Sequence, residues 1–169
     1  MMKYDATDGG YELQIETDGD LTCGIDDDGT SFPEATATST AATYDDNNWH
    51  HIACVKDGIS TLSLYIDGVL ITSTSISGVT GDFANADPLY IGIDHTGTGD
   101  DWLGQIDEPK IYNYAKSAKQ VVENMNAGHP APGSPVGSPV GYWKFNEGAD
   151  NTCVVVTTDD VCNSGSQGA

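Results

Sequence analysis

Asp-Gly pairs separate short runs of alternating apolar and polar residues in the first half of this chain. The clearest example has three predicted strands, at residues 49–56, 61–66 and 69–73, which are joined at Asp57-Gly58 and Asp67-Gly68. Asp-Gly favours a tight hairpin because the two central residues of the turn need positive φ angles, which Asp and Gly tolerate. The pattern therefore predicts a three-stranded antiparallel meander.

The middle strand of this meander indicates which face is buried. Leu62, Leu64 and Ile66 fall on one face, with the period of two that a half-buried strand requires. Residues 11–26 repeat the arrangement around a third pair, Asp18-Gly19. The core-facing residues predicted there are Leu13, Ile15, Leu21, Cys23 and Ile25. One face of each hairpin is therefore expected to form the core of an antiparallel β protein.

Weaker signals surround the central meander. The Thr/Ala/Ser-rich passage at residues 31–46 is predicted to be loop and irregular strand. Pro88 precedes a predicted strand at 89–93, and Pro109 interrupts a further strand, which must be bulged or lie at a sheet edge because proline cannot donate to the ladder. Apolar spacing over residues 115–125 predicts a short helix.

The charge balance excludes several classes of partner. The chain has 26 acidic residues against 6 Lys and Arg combined, which gives a formal net charge of -20. Nucleic acids and anionic membrane surfaces are bound through Lys and Arg that neutralise phosphate, so neither is expected as a partner. The acid excess suits either a solvated surface adapted to saline water or Asp clusters that bind Ca²⁺.

No membrane span or export signal is predicted within the chain. No stretch approaches the ~20 consecutive apolar residues that a membrane span needs. The first residues lack the apolar core of a signal peptide. If the protein is exported, its signal is expected to lie outside this chain.

Four segments of the sequence together resemble a known module. WHHIACVKDG, LSLYIDGVLI, PLYIGID and WLGQIDEPKIYNYAKSAKQV occur in this order. Over residues 3–126 they resemble the second half of a laminin-G-like, concanavalin A-like module of the kind found in long extracellular proteins. The resemblance implies an all-β fold, an antiparallel two-sheet jelly-roll sandwich, at the cell surface or outside the cell. It also implies binding of carbohydrate or of a surface protein.

A Pro/Gly/Ser-rich linker at residues 127–141 separates this body from a tail at 142–169. The tail resembles the start of a following repeat of the same module, so the core strands that belong between the two pieces are missing. The tail is expected either to remain the start of that repeat or to dock as an added strand on an open sheet edge. Docking on the same chain would give a closed monomer, and docking on another copy would give a homo-oligomer by strand exchange.

Two candidate cation sites follow. Asp107 lies in a segment predicted to be a buried strand, where a carboxylate needs a cation or several hydrogen-bond donors. The resemblance implies that this Asp helps to hold a structural Ca²⁺, here together with Glu147 and Asn163; an Asp held by hydrogen bonds alone is the alternative. The acidic run at residues 26–29 can also hold a cation, but it lacks the spacing of an EF-hand loop, which favours a solvated turn.

The four cysteines show no C-x-x-C spacing, which argues against a zinc ribbon or a thioredoxin-like site. Disulfides are favoured, and the alternative is that all four are small buried side chains. Cys153 and Cys162 flank a short apolar run and can close a local loop. In the sandwich that the resemblance implies, Cys23 and Cys54 lie on neighbouring strands and form the second pair.

Trp102 is the leading candidate for ligand binding. It follows Asp100 and Asp101 in a Gly/Asp-rich loop, and a flat indole face suits the C–H side of a pyranose ring. These three residues form the predicted ligand site. The alternative is that Trp102 closes one end of the sandwich.

The sequence does not favour an enzyme. The segment from Glu16 to Asp20 is the nearest match to the carboxylate motif of jelly-roll glucanases, but it lies on a predicted turn and lacks the second Glu of a pair about 5 Å apart. His50 and His51 are adjacent, so on a strand they point to opposite faces and cannot share a metal. The expected function is a non-catalytic carbohydrate-binding or adhesion module from a repetitive exported protein. The alternatives are an assembly unit that pairs strands with neighbouring copies and, more distantly, a glycoside hydrolase.

Overall fold

A computed structural model describes residues 1–5, 8–29, 33–40, 44–81, 83–94, 101–126 and 141–142. It confirms the all-β class, with antiparallel strands in two main sheets and one short helix. The elements are β1 (Met2–Asp5), β2 (Gly9–Ile15), β3 (Leu21–Asp26), β4 (Ala35–Thr38), β5 (Ile52–Asp57), β6 (Thr61–Ile66), β7 (Val69–Ser75), β8 (Lys110–Ile111), α1 (Ala118–Met125) and β9 (Gly141–Tyr142).

The described residues form two compact units. The first contains those of 1–101 and 115–126, and the second contains those of 102–114 and 141–142. In the second unit β8 and β9 pair antiparallel, with Lys110 opposite Tyr142 and Ile111 opposite Gly141. The beginning of the tail therefore pairs with the strand after Pro109 within one chain. Exchange of strands between copies stays a prediction.

The four-stranded sheet has the order β1-β2-β3-β4, with every pair antiparallel. The β2–β3 hairpin confirms the sequence prediction, since Leu13 lies opposite Cys23 and Ile15 opposite Leu21. Its turn is closed by a 2.7 Å hydrogen bond from the Glu16 N–H to the Asp20 carbonyl. Five of the predicted core residues form or adjoin the core, namely Leu13, Ile15, Leu21, Cys23 and Ile25. The strand β4 forms where only loop and irregular strand were predicted.

The three-stranded sheet has the order β5-β6-β7 and is also antiparallel. The middle strand, Thr61–Ile66, has the predicted bounds. Asp67 and Gly68 have φ angles of 50° and 77°, which is the tight turn that this pair predicts. The other turn holds three residues, 58–60, where the predicted strands left four, because Asp57 still belongs to β5. The Asp57 carbonyl accepts a 2.9 Å hydrogen bond from the Ser60 N–H.

The core lies between these two sheets and is crossed by a disulfide. Buried apolar residues from both sheets and from the segment after β7 contribute: Leu21, Cys23, Ile25, Ala37, Leu62, Leu64, Ile66, Ile76 and Val79. Cys23 of β3 and Cys54 of β5 are bonded, with Cα atoms 5.9 Å apart. The predicted pairing is confirmed, but the two strands belong to different sheets rather than lying side by side. Cys153 and Cys162 lie outside the described residues.

Two predicted strands are largely lost. Within residues 89–93 only Tyr90 pairs, in an isolated bridge with Met2, because Pro88 has no N–H and Gly92 turns the chain with a φ of 81°. The strand predicted around Asp107 is reduced to β8, which pairs only with β9 in the described part of the chain. It is an edge strand, as Pro109 predicts.

The helix α1 begins three residues later than predicted because Ser117 caps it. Ser117 and Gln120 form a reciprocal capping box, in which the Gln120 N–H donates to Ser117 Oγ at 3.3 Å and the Ser117 N–H donates to Gln120 Oε1 at 2.9 Å. Val121 is the buried residue of the helix. A Cβ at Gly68 would lie 3.0 Å from Val122 Cγ2, so the helix packs against the β6–β7 turn.

Glu12 is a buried carboxylic acid on the face of β2 that points away from the core. It lies opposite Gly24, where a Cβ would be only 2.6 Å from Glu12 Oε1 and 2.9 Å from Pro33 Cβ. The side chain is therefore covered by the chain that leads into β4. Burial, followed by the negative charge of Glu16, raises the pKa of Glu12 from 4.5 to about 7.

This pKa makes stability depend on pH. The folded-state pKa of Glu12 exceeds the unfolded value, so folding retains a proton that the unfolded chain releases, and stability falls as pH rises from about 4.5 to about 7. We predict that Glu12→Gln raises the free energy of unfolding by about 2 kcal/mol at pH 8 and has little effect near pH 4. Urea denaturation at the two pH values measures this difference. Asp45→Asn, which removes an exposed charge, is the control, and an equal pH response in both variants would contradict the prediction.

The disulfide supplies a second prediction. It joins cysteines separated by 31 residues in sequence, and closing a loop of this length stabilises a fold by about 3 kcal/mol. We expect C23A/C54A to lose roughly that amount of unfolding free energy. C153A/C162A is the matched control, because it leaves the Cys23–Cys54 bond intact. A loss no larger than in the control would mean that apolar packing alone holds the sheets together.

Candidate functional site

Four carboxylates meet at the connection between β3 and β4, and we call this group the acidic turn: Asp26, Asp27, Asp28 and Glu34. Asp26 is the last residue of β3 and lies opposite Gly10 of β2. The connection returns at Glu34, whose N–H donates a 3.0 Å hydrogen bond to the Ile25 carbonyl just before β4 begins. One carboxylate oxygen from each of the four residues lies within 4.8 Å of the others.

Asp26 is the anchor of the acidic turn because its side chain is buried, with 0% exposure. Its Oδ1 atom accepts hydrogen bonds from the N–H groups of Asp28 and Gly29, each at 2.9 Å. Its Oδ2 atom is also buried and has no hydrogen-bond partner among the described residues. A buried carboxylate oxygen without a partner costs free energy, so Oδ2 is ready to accept a proton, a donor or a cation.

The charges in the acidic turn repel one another. Desolvation and then the negative charge of Asp27 raise the pKa of Glu34, and a hydrogen bond between these two carboxyl groups adds to the effect. Asp28 and Asp26 act in the same direction through their charges. A cation placed among the four carboxylates would relieve this repulsion.

The acidic turn also contacts the chain that follows β7. Asp27 Oδ2 accepts a hydrogen bond from the Gly81 N–H. A Cβ at Gly78 would lie 3.5 Å from Glu34 Oε1, so Glu34 is close to the same segment. Ile76 and Val79 of that segment are buried in the core. The acidic turn thus connects the four-stranded sheet to the segment that follows β7.

The ligand atoms of the acidic turn are all carboxylate oxygens. Such a set suits a hard divalent cation, and Ca²⁺ in particular takes 6–8 oxygen ligands in flexible geometry. Zinc prefers nitrogen and sulfur ligands, which the four residues do not offer. The sequence run at residues 26–28 was recognisable, but the contribution of Glu34 depends on the hairpin connection and could not be read from spacing.

The predicted site around Asp107 is not buried. Asp107 is exposed and precedes β8, because Glu108 has a positive φ of 49° and Pro109 cannot pair in a ladder. The expectation of a buried strand carboxylate at this position is therefore wrong. Glu147 and Asn163, its proposed partners, lie outside the described residues. The Ca²⁺ set of these three residues stays a prediction.

Only part of the predicted ligand site lies within the described residues. Trp102 is 39% exposed and Asp101 is also exposed, while Asp100 lies outside the described residues. A Cβ at Gly104 would lie 2.8 Å from Trp102 Nε1, so Gly104 allows the indole to lie close to the backbone. The Trp102 ring therefore offers part of its surface to solvent.

Trp49 is more exposed than Trp102, at 63%, and the sequence interpretation missed it. It was counted as the first residue of a strand, but β5 begins only at Ile52. The signal for a loop was the run of Asp and Asn residues before it. Asp46 stabilises this loop through two hydrogen bonds from Asn48. Its Oδ1 atom accepts one from the Asn48 N–H at 2.9 Å, and its Oδ2 atom accepts the other from Asn48 Nδ2 at 2.7 Å.

His50 and His51 connect the same loop to the β6–β7 turn. His50 Nδ1 lies 2.8 Å from Asp67 Oδ2, and the His50 Nε2 atom lies 3.2 Å from Asp46 Oδ1. The His51 N–H donates to Asp67 Oδ1 at 2.9 Å. The hydrogen bond with Asp67 is the main reason that the pKa of His50 is raised. His50 thus has a structural role, because it holds the loop that carries Trp49.

Comparison with known proteins agrees with this architecture. The model of the family Laminin_G_3, described as the concanavalin A-like lectin/glucanases superfamily, matches residues 1–122. A crystal structure of an S-layer domain-containing protein from Clostridium thermocellum (residues 221–444) is similar, with a TM-score of 0.42 and 23% identity. The similarity covers 74% of this chain and 61% of that one. No curated protein matches this chain.

No helix in the described part of the chain has the length and apolar character needed to cross a membrane. The family match spans most of the 169 residues and includes both main sheets and most of α1. It agrees with the order of motifs in the sequence and with the two antiparallel sheets around one core. The chain therefore belongs to the Laminin_G_3 family of the concanavalin A-like lectin/glucanases superfamily.

Proposed function

We propose that this chain is a non-catalytic extracellular module that binds carbohydrate or another surface protein. Family membership supports a binding role, but a fold by itself does not determine function. The observation that carries the carbohydrate proposal is the exposure of Trp49 on a loop that hydrogen bonds hold in place. An exposed indole on a rigid loop can stack on a sugar ring with little loss of conformational entropy.

Trp102, with Asp100 and Asp101, remains a second proposed sugar-binding position. Trp49 and Trp102 are proposed as two independent sugar-binding positions, because a single stacked ring and a few polar neighbours are enough for a weak glycan contact. The Cys23–Cys54 disulfide supports the extracellular placement, since disulfides persist in oxidising compartments. A structural Ca²⁺ ion is also part of this proposal, because the resemblance implies one and the acidic turn offers oxygen ligands.

An assembly unit is the second candidate, and the strand β7 favours it. This strand is last in the order β5-β6-β7, and it exposes three consecutive apolar residues, Val69, Leu70 and Ile71. An exposed apolar edge strand is a template for pairing with another chain. In this alternative the body at residues 3–126 and the tail at 142–169 belong to successive repeats, and copies associate through their sheet edges.

We predict that the protein binds glycans and that Trp49→Ala weakens this binding roughly tenfold, because about 1.4 kcal/mol of stacking is lost. A glycan array identifies the ligand, and titration of that ligand then measures the affinity. Trp49→Phe is the matched control, because it keeps an aromatic face and should retain most of the affinity. Trp102→Ala, measured in the same way, tests the second position.

Other outcomes would overturn this function. A wild-type protein that binds no glycan but forms oligomers with increasing concentration would favour the assembly unit. Hydrolysis of a β-glucan that is lost in Glu16→Ala would make the protein a glycoside hydrolase. Equal affinity in Trp49→Ala, Trp102→Ala and the wild type would remove both indoles from the binding site.

A further inference from the structure

We propose that the acidic turn binds one Ca²⁺ ion and that this ion fixes the β3–β4 connection against the segment that follows β7. The inference rests on the proposed function only for the choice of Ca²⁺ as the structural ion. It assigns the ion to residues that differ from the set around Asp107. Separate observations indicate which oxygen atoms bind the ion, why the ion is Ca²⁺ and how the ion affects the fold.

The first observation is the convergence of four carboxylates. Their oxygens lie within 4.8 Å of one another, although Glu34 is separated from Asp28 by the whole of the connection. The hydrogen bond from the Glu34 N–H to the Ile25 carbonyl fixes this return of the chain. Convergence alone does not make a cation site, because exposed acidic groups often cluster without one. A second observation is needed.

That second observation is the state of Asp26. The side chain is completely buried, its Oδ1 atom is held by two backbone N–H groups, and its Oδ2 atom has no partner among the described residues. The backbone donors hold the carboxylate in one orientation. The remaining oxygen is thus a pre-positioned ligand that lacks only a positive partner. A cation satisfies it more fully than a neutral donor, because three further carboxylates are nearby.

The exposure of the other ligands indicates which cation fits. Asp28 and Glu34 are exposed and Asp27 is partly buried, so one side of the site is open to water. Ca²⁺ accepts a mixture of carboxylate and water ligands in flexible geometry, whereas Mg²⁺ demands near-ideal octahedral geometry and loses its water reluctantly. The four carboxylates combine a buried anchor with partly and fully exposed side chains, and such a mixed set suits Ca²⁺ better than Mg²⁺.

The position of Asp27 gives the ion a structural consequence. Asp27 Oδ2 accepts from the Gly81 N–H, and the segment that carries Gly81 places Ile76 and Val79 in the core. One carboxylate oxygen of Asp27 lies within 4.8 Å of an oxygen of Asp28 and of Glu34, so like charges repel one another there in the absence of a cation. Neutralising that repulsion keeps Asp27 on Gly81. The ion therefore holds the β3–β4 connection against the segment that follows β7, in addition to the covalent link between the sheets at Cys23 and Cys54.

Calorimetric titration of Ca²⁺ into the metal-free full chain tests this proposal. We expect one Ca²⁺ per chain for the wild type and at least a roughly tenfold weaker affinity for Asp26→Asn. Asp28→Asn should also weaken binding, and because Asp28 is exposed this variant carries the test if Asp26→Asn does not fold. Asp45→Asn is the matched control, since it removes one exposed charge outside the acidic turn.

Three results would overturn the proposal. The first is no binding to the metal-free wild type at millimolar Ca²⁺. The second is an equal loss of affinity in Asp45→Asn, which would assign the effect to the overall negative charge. The third is loss of the ion in Asp107→Asn with wild-type binding in Asp28→Asn, which would place the ion at the other set. A protein that binds Ca²⁺ at the acidic turn but binds no glycan would keep this inference and overturn the carbohydrate proposal alone.

Discussion

The packing of two apolar hairpin faces against each other is the interaction on which this structure depends. Leu21 and Ile25 of β3 meet Leu62 and Leu64 of β6 in one core, and each such buried side chain contributes about 1.5–3 kcal/mol. All six residues of β3 are buried, including those on its outer face. Asp26, the last residue of the strand, is therefore not in contact with water. A carboxyl group is therefore buried at the end of β3, on the face that points away from the core.

Two acidic residues are buried in the described part of the chain, and their carboxyl groups have different surroundings. Glu12 lies under Pro33 with its pKa raised to about 7, so its buried carboxyl keeps a proton under mildly acidic conditions. Asp26 instead accepts two backbone hydrogen bonds on its Oδ1 atom, from the N–H groups of Asp28 and Gly29. Its Oδ2 atom has no hydrogen-bond partner among the described residues, and Asp26 belongs to a group of four carboxylates that a cation can bridge. A bound proton satisfies the buried carboxyl group of Glu12, and the inferred Ca²⁺ ion satisfies that of Asp26.

Features that depend on neighbours in sequence were predictable, while features that depend on distant contacts were not. The bounds of β6, the turn at Asp67-Gly68 and the β2–β3 hairpin follow from alternation and from local turn chemistry. The convergence of Glu34 with Asp26 requires the chain between β3 and β4 to fold back, which no spacing rule reveals. Asp107 was expected to be buried because a strand was predicted there, but the positive φ of Glu108 and the missing N–H of Pro109 prevent that strand. The exposure of Trp49 was missed because β5 begins later than its apolar pattern indicated.

A cation at the acidic turn holds the β3–β4 connection against the segment that follows β7, through the hydrogen bond between Gly81 and Asp27. Amide hydrogen exchange of Gly81, followed by NMR with excess Ca²⁺ and with excess chelator, tests it most directly, because the Gly81 N–H donates to Asp27 Oδ2. The account predicts that exchange at Gly81 is about tenfold slower with Ca²⁺, which corresponds to roughly 1.4 kcal/mol of added local stability. The same comparison in Asp28→Asn should show little difference. Equal exchange rates at Gly81 with Ca²⁺ and with chelator in the wild type would contradict the account.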